Sequence, residues 1–441
     1  MFFFNRSINS SIFILFACML LSFEAQAMRV GVGKAEITPT KPMRLYGYSS
    51  RKDPYIGIYD PLFCRALVFD DGERKAAIVS FDSGTIPLGH WLDTIRQRVK
   101  ERYGIGYVLL TATHSHAAPW LGKQDDPIPW NKMIVEKMHE AIEDALAAMQ
   151  PASFTFGVGE IDITYDRRVV NEDGRVTMLW QNHERKFTKA VDQTIKVLQI
   201  RNEKKEPITT LVHYACHPVI SGNKNNRVTA ELPGVVCRYV DEALGGETIF
   251  VQGACGDINP YLAGYLQADT AAYKTFVEEG EKVGKKVVEI VEKAHPVNAE
   301  NLRIRHQTQT VSFGLRHPLE DERMQDRLQG YYSEEGFKEF LKSDLKLEAD
   351  VSILALDDTF AWVGFPGEFF DDFQVDLANR SPIEHTFFVG YCNGNHSYFP
   401  TIEAAAEGGY GADYGLLAEV GTGERMVDRA IIGLYQILGE L

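Results

Sequence analysis

The stretch GYVLLTATHSHAAP, residues 106–119, joins a short apolar run to a polar cluster that contains two histidines. Four other apolar runs end in the same way: 209–215 before His217, 248–251 before 252–260, 360–364 before Glu368, and 386–391 before 393–398. Runs this rich in Val, Ile and Phe are typical of buried strands in a mostly parallel sheet. The ligand crevice of an open α/β sheet lies beyond the carboxyl ends of its strands. The pattern therefore predicts an α/β fold with a mixed, largely parallel central sheet flanked by helices, and one site at the carboxyl ends of the strands.

The hydrophobic periodicity predicts the remaining elements. Strands are expected at residues 29–37, 75–81, 107–112 and 152–158, and a hairpin of 161–170 with 175–179 is expected around the turn 171–174. Helices are expected at 88–102, 130–149, 232–244, 269–293, 321–346 and 425–438. Internal repeats and Pro-, Gly- or Ser-rich linkers are absent from the sequence, which indicates a single domain over residues 28–441.

The first 27 residues have the pattern of a secretory signal peptide. Arg6 gives a positive start, residues 11–23 form an apolar region too short to span a bilayer, and Ala25-Gln26-Ala27 is a small-x-small cleavage signal. We therefore expect export to a periplasm or to the extracellular space. The rest of the sequence contains no second apolar stretch of transmembrane length.

Composition excludes some classes of partner. The chain of 441 residues has a formal net charge of −15 and a hydrophobic fraction of 45%. An acidic balance argues against binding to nucleic acid or to anionic membranes. The five cysteines after residue 27 include no CxxC pair, so we expect mostly buried free thiols: Cys64, Cys216, Cys237, Cys255 and Cys392.

Several side chains in the polar clusters are candidate metal ligands. In an extended segment His114 and His116 point to the same face, and neutral imidazole is a good ligand for zinc. One of the two could equally be a hydrogen-bonded core histidine. His217, taken alone, is more often structural. A carboxylate such as Glu368, set in the apolar segment FPGEFF, is costly to bury unless it is paired or bound to a cation.

The absence of several motifs excludes familiar catalytic classes. The glycine-containing loop 253–260 lacks the Gly-Lys-Ser/Thr ending of a phosphate-binding P-loop. The sequence also has no HExxH zinc motif and no GxSxG nucleophile motif.

Three further residues are open to two interpretations. Arg167 is either a solvated arginine beside a turn or an arginine that binds an anion in a pocket. Tyr398 and Tyr410 are compatible with ordinary aromatic packing.

Taken together, these clusters and their order resemble the N-terminal catalytic domain of the neutral/alkaline non-lysosomal ceramidase family. The opening segments also match, namely GVGKAEITP at 31–39, LYGY at 45–48, Gly57-Ile58 and Arg65-Ala66. The resemblance runs from about Val30 to beyond Tyr414. It is more specific for the family than for the substrate.

The resemblance implies a set of site residues. One Zn²⁺ per chain is expected, held by His114, His217, Glu368 and Tyr398. His116 matches a candidate proton shuttle, Tyr410 a tyrosine that steadies the oxyanion, Arg167 a pocket arginine, and Asn259 a residue of the catalytic loop. The implied activity is that of a secreted, zinc-dependent amidohydrolase of sphingolipid metabolism.

The sequence departs from the family pattern at several positions. Asn259 replaces a serine in the segment Gly256-Asp257-Ile258-Asn259-Pro260, Ala117-Ala118-Pro119 replaces Ser-Gly-Pro, and Glu231 stands where aspartate is usual. We also expect no C-terminal immunoglobulin-like domain. Because asparagine cannot be a serine-type nucleophile, the expected mechanism uses water activated by zinc, with no protein nucleophile.

Two alternatives remain at the level of sequence. One is a zinc hydrolase of an acylated sugar or another small non-lipid substrate, and the other is a zinc-binding homologue without turnover. The expected partner is accordingly a small molecule or a lipid, and the oligomeric state is not predicted. The shape of the cavity over the metal discriminates between the substrates, since a deep apolar shaft favours ceramide and a shallow polar bowl favours a sugar-like or small compound.

Overall fold

The computed structural model describes residues 27–123, 128–266, 270–299, 301–342 and 346–441. The strands are β1 Arg29–Glu36, β2 Gly57–Ile58, β3 Phe63–Asp70, β4 Lys75–Phe81, β5 Ile105–Ala112, β6 Gln150–Pro151, β7 Ser153–Glu160, β8 Thr164–Asp166, β9 Arg168–Val170, β10 Val176–Met178, β11 Thr194–Arg201, β12 Pro207–Tyr214, β13 Arg227–Val228, β14 Glu247–Gln252, β15 Ile258–Pro260, β16 His295–Val297, β17 Ile304–Phe313, β18 Leu347–Leu356, β19 Phe360–Gly364, β20 Glu368–Phe369, β21 His385–Val389 and β22 Tyr398–Phe399. The helices are α1 His90–Tyr103, α2 Pro129–Ala147, α3 Glu231–Leu244, α4 Tyr273–Lys293, α5 Glu322–Tyr331, α6 Glu334–Phe340, α7 Asp372–Arg380, α8 Ile402–Glu407 and α9 Thr422–Leu438, and a 3₁₀ turn covers Thr270–Ala272.

The longer strands form three mixed sheets. Their orders are β5-β4-β3-β1-β6, β14-β12-β11-β7-β16 and β17-β18-β19-β21. Each sheet contains one parallel pair at one of its edges, β4 with β5, β12 with β14, and β19 with β21. The predicted mixed α/β class is confirmed, whereas one largely parallel central sheet is not. The limited number of parallel pairs has a topological reason, because two consecutive strands can pair in parallel only when a crossover connects them. In each parallel pair the crossover is a helix, α1, α3 or α7.

The parallel edges of the three sheets meet. The backbone N–H of Gly390, just after β21, donates to the carbonyl oxygen of Gln252 on β14 at 2.9 Å. The N–H of Asn393 donates to the carbonyl of Leu110 on β5, also at 2.9 Å. All five apolar runs singled out in the sequence are strands: β5, β12, β14, β19 and β21. Their carboxyl ends therefore converge although they belong to three sheets.

The expected helices are observed, with one exception. The segment 321–346 forms two helices, because Tyr332 is extended (ψ 150°) and the Ser333 side chain accepts from the N–H of Gly336 to begin α6. Residues 343–345 of that segment lie outside the described residues, as do residue 269 and residues 1–26 of the expected signal peptide. The sequence did not indicate α7 or α8. The predicted hairpin is present as β9 paired with β10.

The core lies between the sheets and under their helices. Leu109 on β5, Val251 on β14 and Val389 on β21 belong to one fully buried apolar cluster, which fills the space where the parallel edges meet. All five cysteines from Cys64 to Cys392 are buried free thiols, as expected. Among the described helices, none combines the length and apolarity needed to cross a bilayer.

Candidate metal centre

Two strand ends place His114 and His217 with fixed ring orientations. His114 follows β5 with φ of 66°, and its Nδ1 lies 2.8 Å from the carbonyl oxygen of Gly84. His217 follows β12, and its Nδ1 lies 3.0 Å from the carbonyl oxygen of Cys255. A carbonyl oxygen only accepts, so each Nδ1 carries the proton and each Nε2 keeps its lone pair. A backbone carbonyl that accepts from one ring nitrogen in this way commonly orients the other nitrogen of a metal-binding histidine towards the metal.

The Nε2 atoms of three histidines converge on one point. They are 3.2 Å apart between His114 and His217, and 3.1 Å from each of these to His116. Two unprotonated nitrogens at this distance repel unless a cation lies between them. Tetrahedral zinc with Zn–N bonds of about 2.0–2.1 Å sets its ligands about 3.3–3.4 Å apart. The donor set therefore fits a zinc ion.

Glu368 adds a carboxylate to this cluster. Its Oε2 lies 3.3 Å from Nε2 of His114 and 4.0 Å from Nε2 of His217. Burial opposes ionisation of Glu368, but the adjacent His114 and, more weakly, Arg167 keep the pKa of its carboxyl below the usual range. An ionised carboxylate supplies the centre with a negative charge, which favours binding of a divalent cation.

His116 and His217 are in the neutral form that binds metals. Burial lowers the pKa of His116 well below its ordinary value, and His114, Arg51 and Arg167 lower it further. Burial, Arg167 and the other two histidines do the same to the pKa of His217. Neither ring competes with a metal for a proton at neutral pH.

His116 lies between the cluster and a cavity. It is 8% exposed whereas His114 and His217 are 0% exposed, and it alone of the three lines the cavity. Its Nδ1 has no hydrogen-bond partner among the described residues. A Cβ on Gly47, where φ is 96°, would lie 2.3 Å from this Nδ1, so only glycine fits there. His116 is thus set apart from the other two, since no carbonyl fixes its proton.

Three residues that the sequence did not assign to the site hold His116 in place. The rings of Tyr46 and Tyr48 pack edge-on against its imidazole, with centroids 5.5 and 5.2 Å away. The guanidinium of Arg51 donates to the carbonyl oxygens of His116, Tyr46 and Asn225. Arg51 lies in an irregular loop and acts on backbone atoms, so no sequence pattern signals its role. The tyrosines were visible only as part of the LYGY segment.

Arg167 contacts the remaining candidate residues. Its Nη1 donates to Oδ1 of Asn259 at 3.4 Å and its Nη2 to the hydroxyl of Tyr398 at 3.3 Å. Its guanidinium carbon also lies 5.7 Å from the ring centroid of Tyr410. Tyr398 pairs with Glu368 across β20 and β22. The structure therefore brings all eight sequence-predicted site residues together around one centre and one cavity.

Gln252 ties the strand ends beneath the centre. Its Nε2 donates to the carbonyls of Thr113 and Cys216 at 3.1 and 2.9 Å, and its Oε1 accepts from the N–H of Cys216 at 3.1 Å. Thr113 precedes His114 and Cys216 precedes His217. One buried amide thus sets the distance between the two segments that carry His114 and His217.

The departures from the family pattern are accommodated differently. Ala117 and Ala118 contribute backbone carbonyls, which accept from the N–H groups of Thr229 and Tyr46 at 3.3 and 2.8 Å. Glu231 begins α3 with φ of 59°, and its Oε1 accepts from the N–H of Ser221 at 3.0 Å. Burial raises the pKa of this carboxyl to about 7. Asn259 lines the cavity, with its Nδ2 donating to the carbonyl of Trp180 at 3.1 Å.

The cavity over the centre has a volume of about 720 Å³ and is open to solvent. Its aromatic lining consists of Tyr48, Trp180, Tyr398 and Tyr410. Aliphatic side chains are scarce, since Val219 and Ala263 are the only ones among the described lining residues. Most other positions are polar or glycine. The cavity is a polar bowl with aromatic walls and lacks a deep aliphatic shaft in the described part of the chain.

Known proteins resemble this chain in sequence or in fold. Over 124 residues the chain is 30% identical to neutral ceramidase 3 of Arabidopsis thaliana, a match that spans 26% of this chain and 16% of that protein. The crystal structure of neutral ceramidase from Pseudomonas aeruginosa superposes with a TM-score of 0.71 at 19% identity, over 93% of this chain and 75% of that one. A ceramidase complexed with C2 gives a TM-score of 0.70 at 18% identity, over 94% of this chain and 75% of the other. These two similarities establish a shared fold.

The family model described as neutral/alkaline non-lysosomal ceramidase, N-terminal, matches residues 28–285. This segment contains the three clustered histidines, Arg167 and Asn259, and it covers more than half of the chain. By this match, the chain belongs to the neutral/alkaline non-lysosomal ceramidase family.

Proposed function

We propose that this protein is a zinc-dependent hydrolase that cleaves an amide or ester bond with water, as a ceramidase-like enzyme. The observation that carries the proposal is the cluster of three Nε2 atoms and one carboxylate oxygen, which His116 connects to an open cavity. His114, His217, Glu368 and Tyr398 are the proposed ligands of one zinc ion per chain. The Nε2 of His116 lies 3.1 Å from the Nε2 atoms of both other histidines, but His116 is assigned to proton transfer because no carbonyl fixes its ring and it lines the cavity. When bound, zinc supplies Lewis acidity and lowers the pKa of water to about 7.

The residues around the cluster support defined roles in hydrolysis. In the reaction the acyl C–N or C–O bond breaks, a C–O bond to the water oxygen forms, and the leaving group takes up a proton. His116 lines the cavity, and its buried Nδ1 has no hydrogen-bond partner among the described residues, so no carbonyl fixes its protonation, which suits it to carry that proton. The hydroxyl of Tyr410 lies in the cavity wall and suits it to donate to the developing oxyanion.

Arg167 is proposed to position its neighbours. Besides Asn259 and Tyr398, its guanidinium donates to the carbonyl of Gly256. It therefore fixes the loop that follows β14 against β22. This cation also favours negative charge that develops at the floor of the cavity.

Asn259→Ala is expected to lower kcat/KM without abolishing it. Asn259 is proposed to bind substrate or water by one hydrogen bond, so the loss should be about 0.5–3 kcal/mol, or about 2- to 150-fold. The measurement is steady-state kinetics together with mass spectrometry under turnover. A covalent acyl-enzyme would contradict the proposal, because it would require a protein nucleophile that this loop does not supply.

The identity of the acyl substrate is the second part of the proposal. The scarcity of aliphatic lining favours an acylated sugar or another small polar compound over a long-chain lipid. A side-by-side assay of N-acyl sphingosine, short N-acyl and O-acyl sugars and simple amides tests this. We expect zinc-dependent turnover of short polar substrates. Efficient cleavage of ceramide with none of the sugars accepted would contradict it, and zinc binding without any turnover would favour the non-catalytic alternative.

We further propose that residues 28–441 act as one exported domain, released from a signal peptide at residues 1–27. The basis is the Arg6 start and the Ala25-Gln26-Ala27 signal in the sequence. Export to a periplasm or to the medium places the enzyme where an extracellular acyl compound would reach it. The net charge of −15 offers no support for a nucleic acid partner.

A further inference from the structure

The cavity over the metal centre is positively charged, although the protein as a whole is acidic. Arg167 and Arg327 line it, and its described lining residues include no aspartate and no glutamate. The formal charge of the whole chain is −15. A cleft lined by one sign of charge attracts ligands of the opposite sign. The lining therefore favours negatively charged ligands, although the chain as a whole is acidic.

The two arginines are used differently. Arg167 is 4% exposed and its guanidinium is engaged by Gly256, Asn259 and Tyr398 at the floor of the cavity. Arg327 lies on α5 at the wall, is half-buried, and makes no hydrogen bond or ion pair with the residues that the structure describes. Arg327 is thus the cation in the lining whose donors are available to a ligand.

A neighbouring arginine on the same helix forms the kind of ion pair that Arg327 lacks. Arg323, one turn earlier on α5, is exposed and pairs with Asp321, with Nη2 2.6 Å from Oδ2. Arg327 has no such carboxylate within ion-pair distance among the described residues. Its Nη2 lies 3.1 Å from the position that a Cβ on Gly415 would occupy. The guanidinium therefore lies beside the backbone of Gly415 in the cavity wall, with its donors free of partners among the described residues.

We propose that the substrate carries an anionic group, such as a carboxylate or a phosphate, and that Arg327 binds this group and selects for it. This inference rests on the proposed hydrolase function and specifies its substrate class. Guanidinium presents paired N–H donors that match the oxygens of carboxylate and phosphate. The scarce aliphatic lining agrees with a short acyl chain on such a compound.

Kinetics on matched substrates test the proposal. N-acetylglycine is compared with N-acetylglycinamide, and phosphorylated N-acetylethanolamine with N-acetylethanolamine, so that each pair differs in the anionic group. The zinc-loaded wild type should prefer the anionic member of at least one pair by about ten- to a hundredfold in kcat/KM, the range of one hydrogen bond to a charged group. The loss in Arg327→Ala should appear mainly in KM, and the pair that responds identifies carboxylate or phosphate as the source.

Arg323→Ala is the matched control, because it removes the same charge from the same helix outside the cavity. It should keep the preference that Arg327→Ala loses. A readout that does not depend on turnover is the binding of N-(methylsulfonyl)glycine, a sulfonamide that the enzyme cannot hydrolyse, measured by calorimetry against its neutral amide. Circular dichroism and thermal melting of Arg327→Ala and Arg327→Gln check that both variants are folded.

The outcomes separate the two proposals. Zinc-dependent hydrolysis of neutral and anionic compounds alike, unchanged in Arg327→Ala, would keep the hydrolase function and overturn the role of Arg327. Selective binding of the anionic sulfonamide that Arg327→Ala abolishes, without hydrolysis of any compound, would support Arg327 as an anion site and contradict the hydrolase. Equal binding of the sulfonamide and its amide, together with no preference for the phosphorylated member of the second pair, would overturn the inference.

Discussion

Replacing His114 and His217 together with alanine is expected to abolish zinc binding and to lower kcat/KM by at least about a thousandfold. Both Nε2 atoms point at one centre because carbonyl oxygens hold the opposite ring nitrogens. The metal contributes several kcal/mol to hydrolysis, and each 1.36 kcal/mol is about tenfold in rate. Elemental analysis gives the zinc content and steady-state kinetics the rate. A double variant that retained full zinc would rule out this site.

Single variants distinguish a ligand from a proton carrier. His116→Ala should keep zinc while losing about 10²- to 10⁴-fold in kcat, the usual contribution of a general acid or base. If it lost zinc as completely as His114→Ala, His116 would be a ligand and the proposed set of four would be wrong. His306→Ala is the control, since His306 is exposed on β17 and stacks on Tyr107. It should change neither quantity.

Tyr410→Phe is expected to lower kcat by about 10²–10³-fold while zinc content stays unchanged, since one donor to the oxyanion is removed. The Tyr410 hydroxyl makes no hydrogen bond to other residues in the described part of the chain, so it is available to the substrate. Its ring is fixed between Trp180 and Tyr398, with centroids 5.4 and 5.2 Å away. Kinetics and elemental analysis on the same preparations provide the measurement.

Tyr414→Phe serves as the matched control for Tyr410→Phe. Tyr414 is 50% exposed, its ring lies 5.8 Å from that of Tyr410, and it is not among the described residues that line the cavity. Removing its hydroxyl should leave kcat within about twofold, as for other surface substitutions. Equal losses in the two variants would show that Tyr410 acts through local packing rather than through its hydroxyl.

The proximity of the candidate site residues was largely predictable because most of them follow strand ends. An apolar run that stops at His114 or His217 identifies both the strand and its carboxyl end, and the HxH spacing brings His116 along. The same signal located Glu368 and, through the family resemblance, Tyr398, Asn259 and Arg167. The five strands that precede these residues were predicted because each is a continuous apolar run.

The arrangement of sheets was not predictable from the same patterns. Strand pairing is non-local, so the runs at β5, β14 and β21 do not reveal that they belong to three sheets whose edges meet. The break between α5 and α6 at the Ser333 cap was not predicted, because the helical periodicity of the sequence continues through it. Arg51 and Gln252 act on backbone carbonyls that only the folded chain brings near, and Arg327 is recognisable only because the fold leaves it without a carboxylate.

The most direct test of the central claim is turnover before and after removal of the metal. Purified protein should contain about one zinc per chain, and it should hydrolyse short acyl amides or esters. Treatment with a chelator should abolish both the zinc and the activity, and one equivalent of zinc should restore both, in keeping with a centre of fixed protein ligands. Undiminished hydrolysis by the metal-free protein would contradict the assignment of the centre to catalysis.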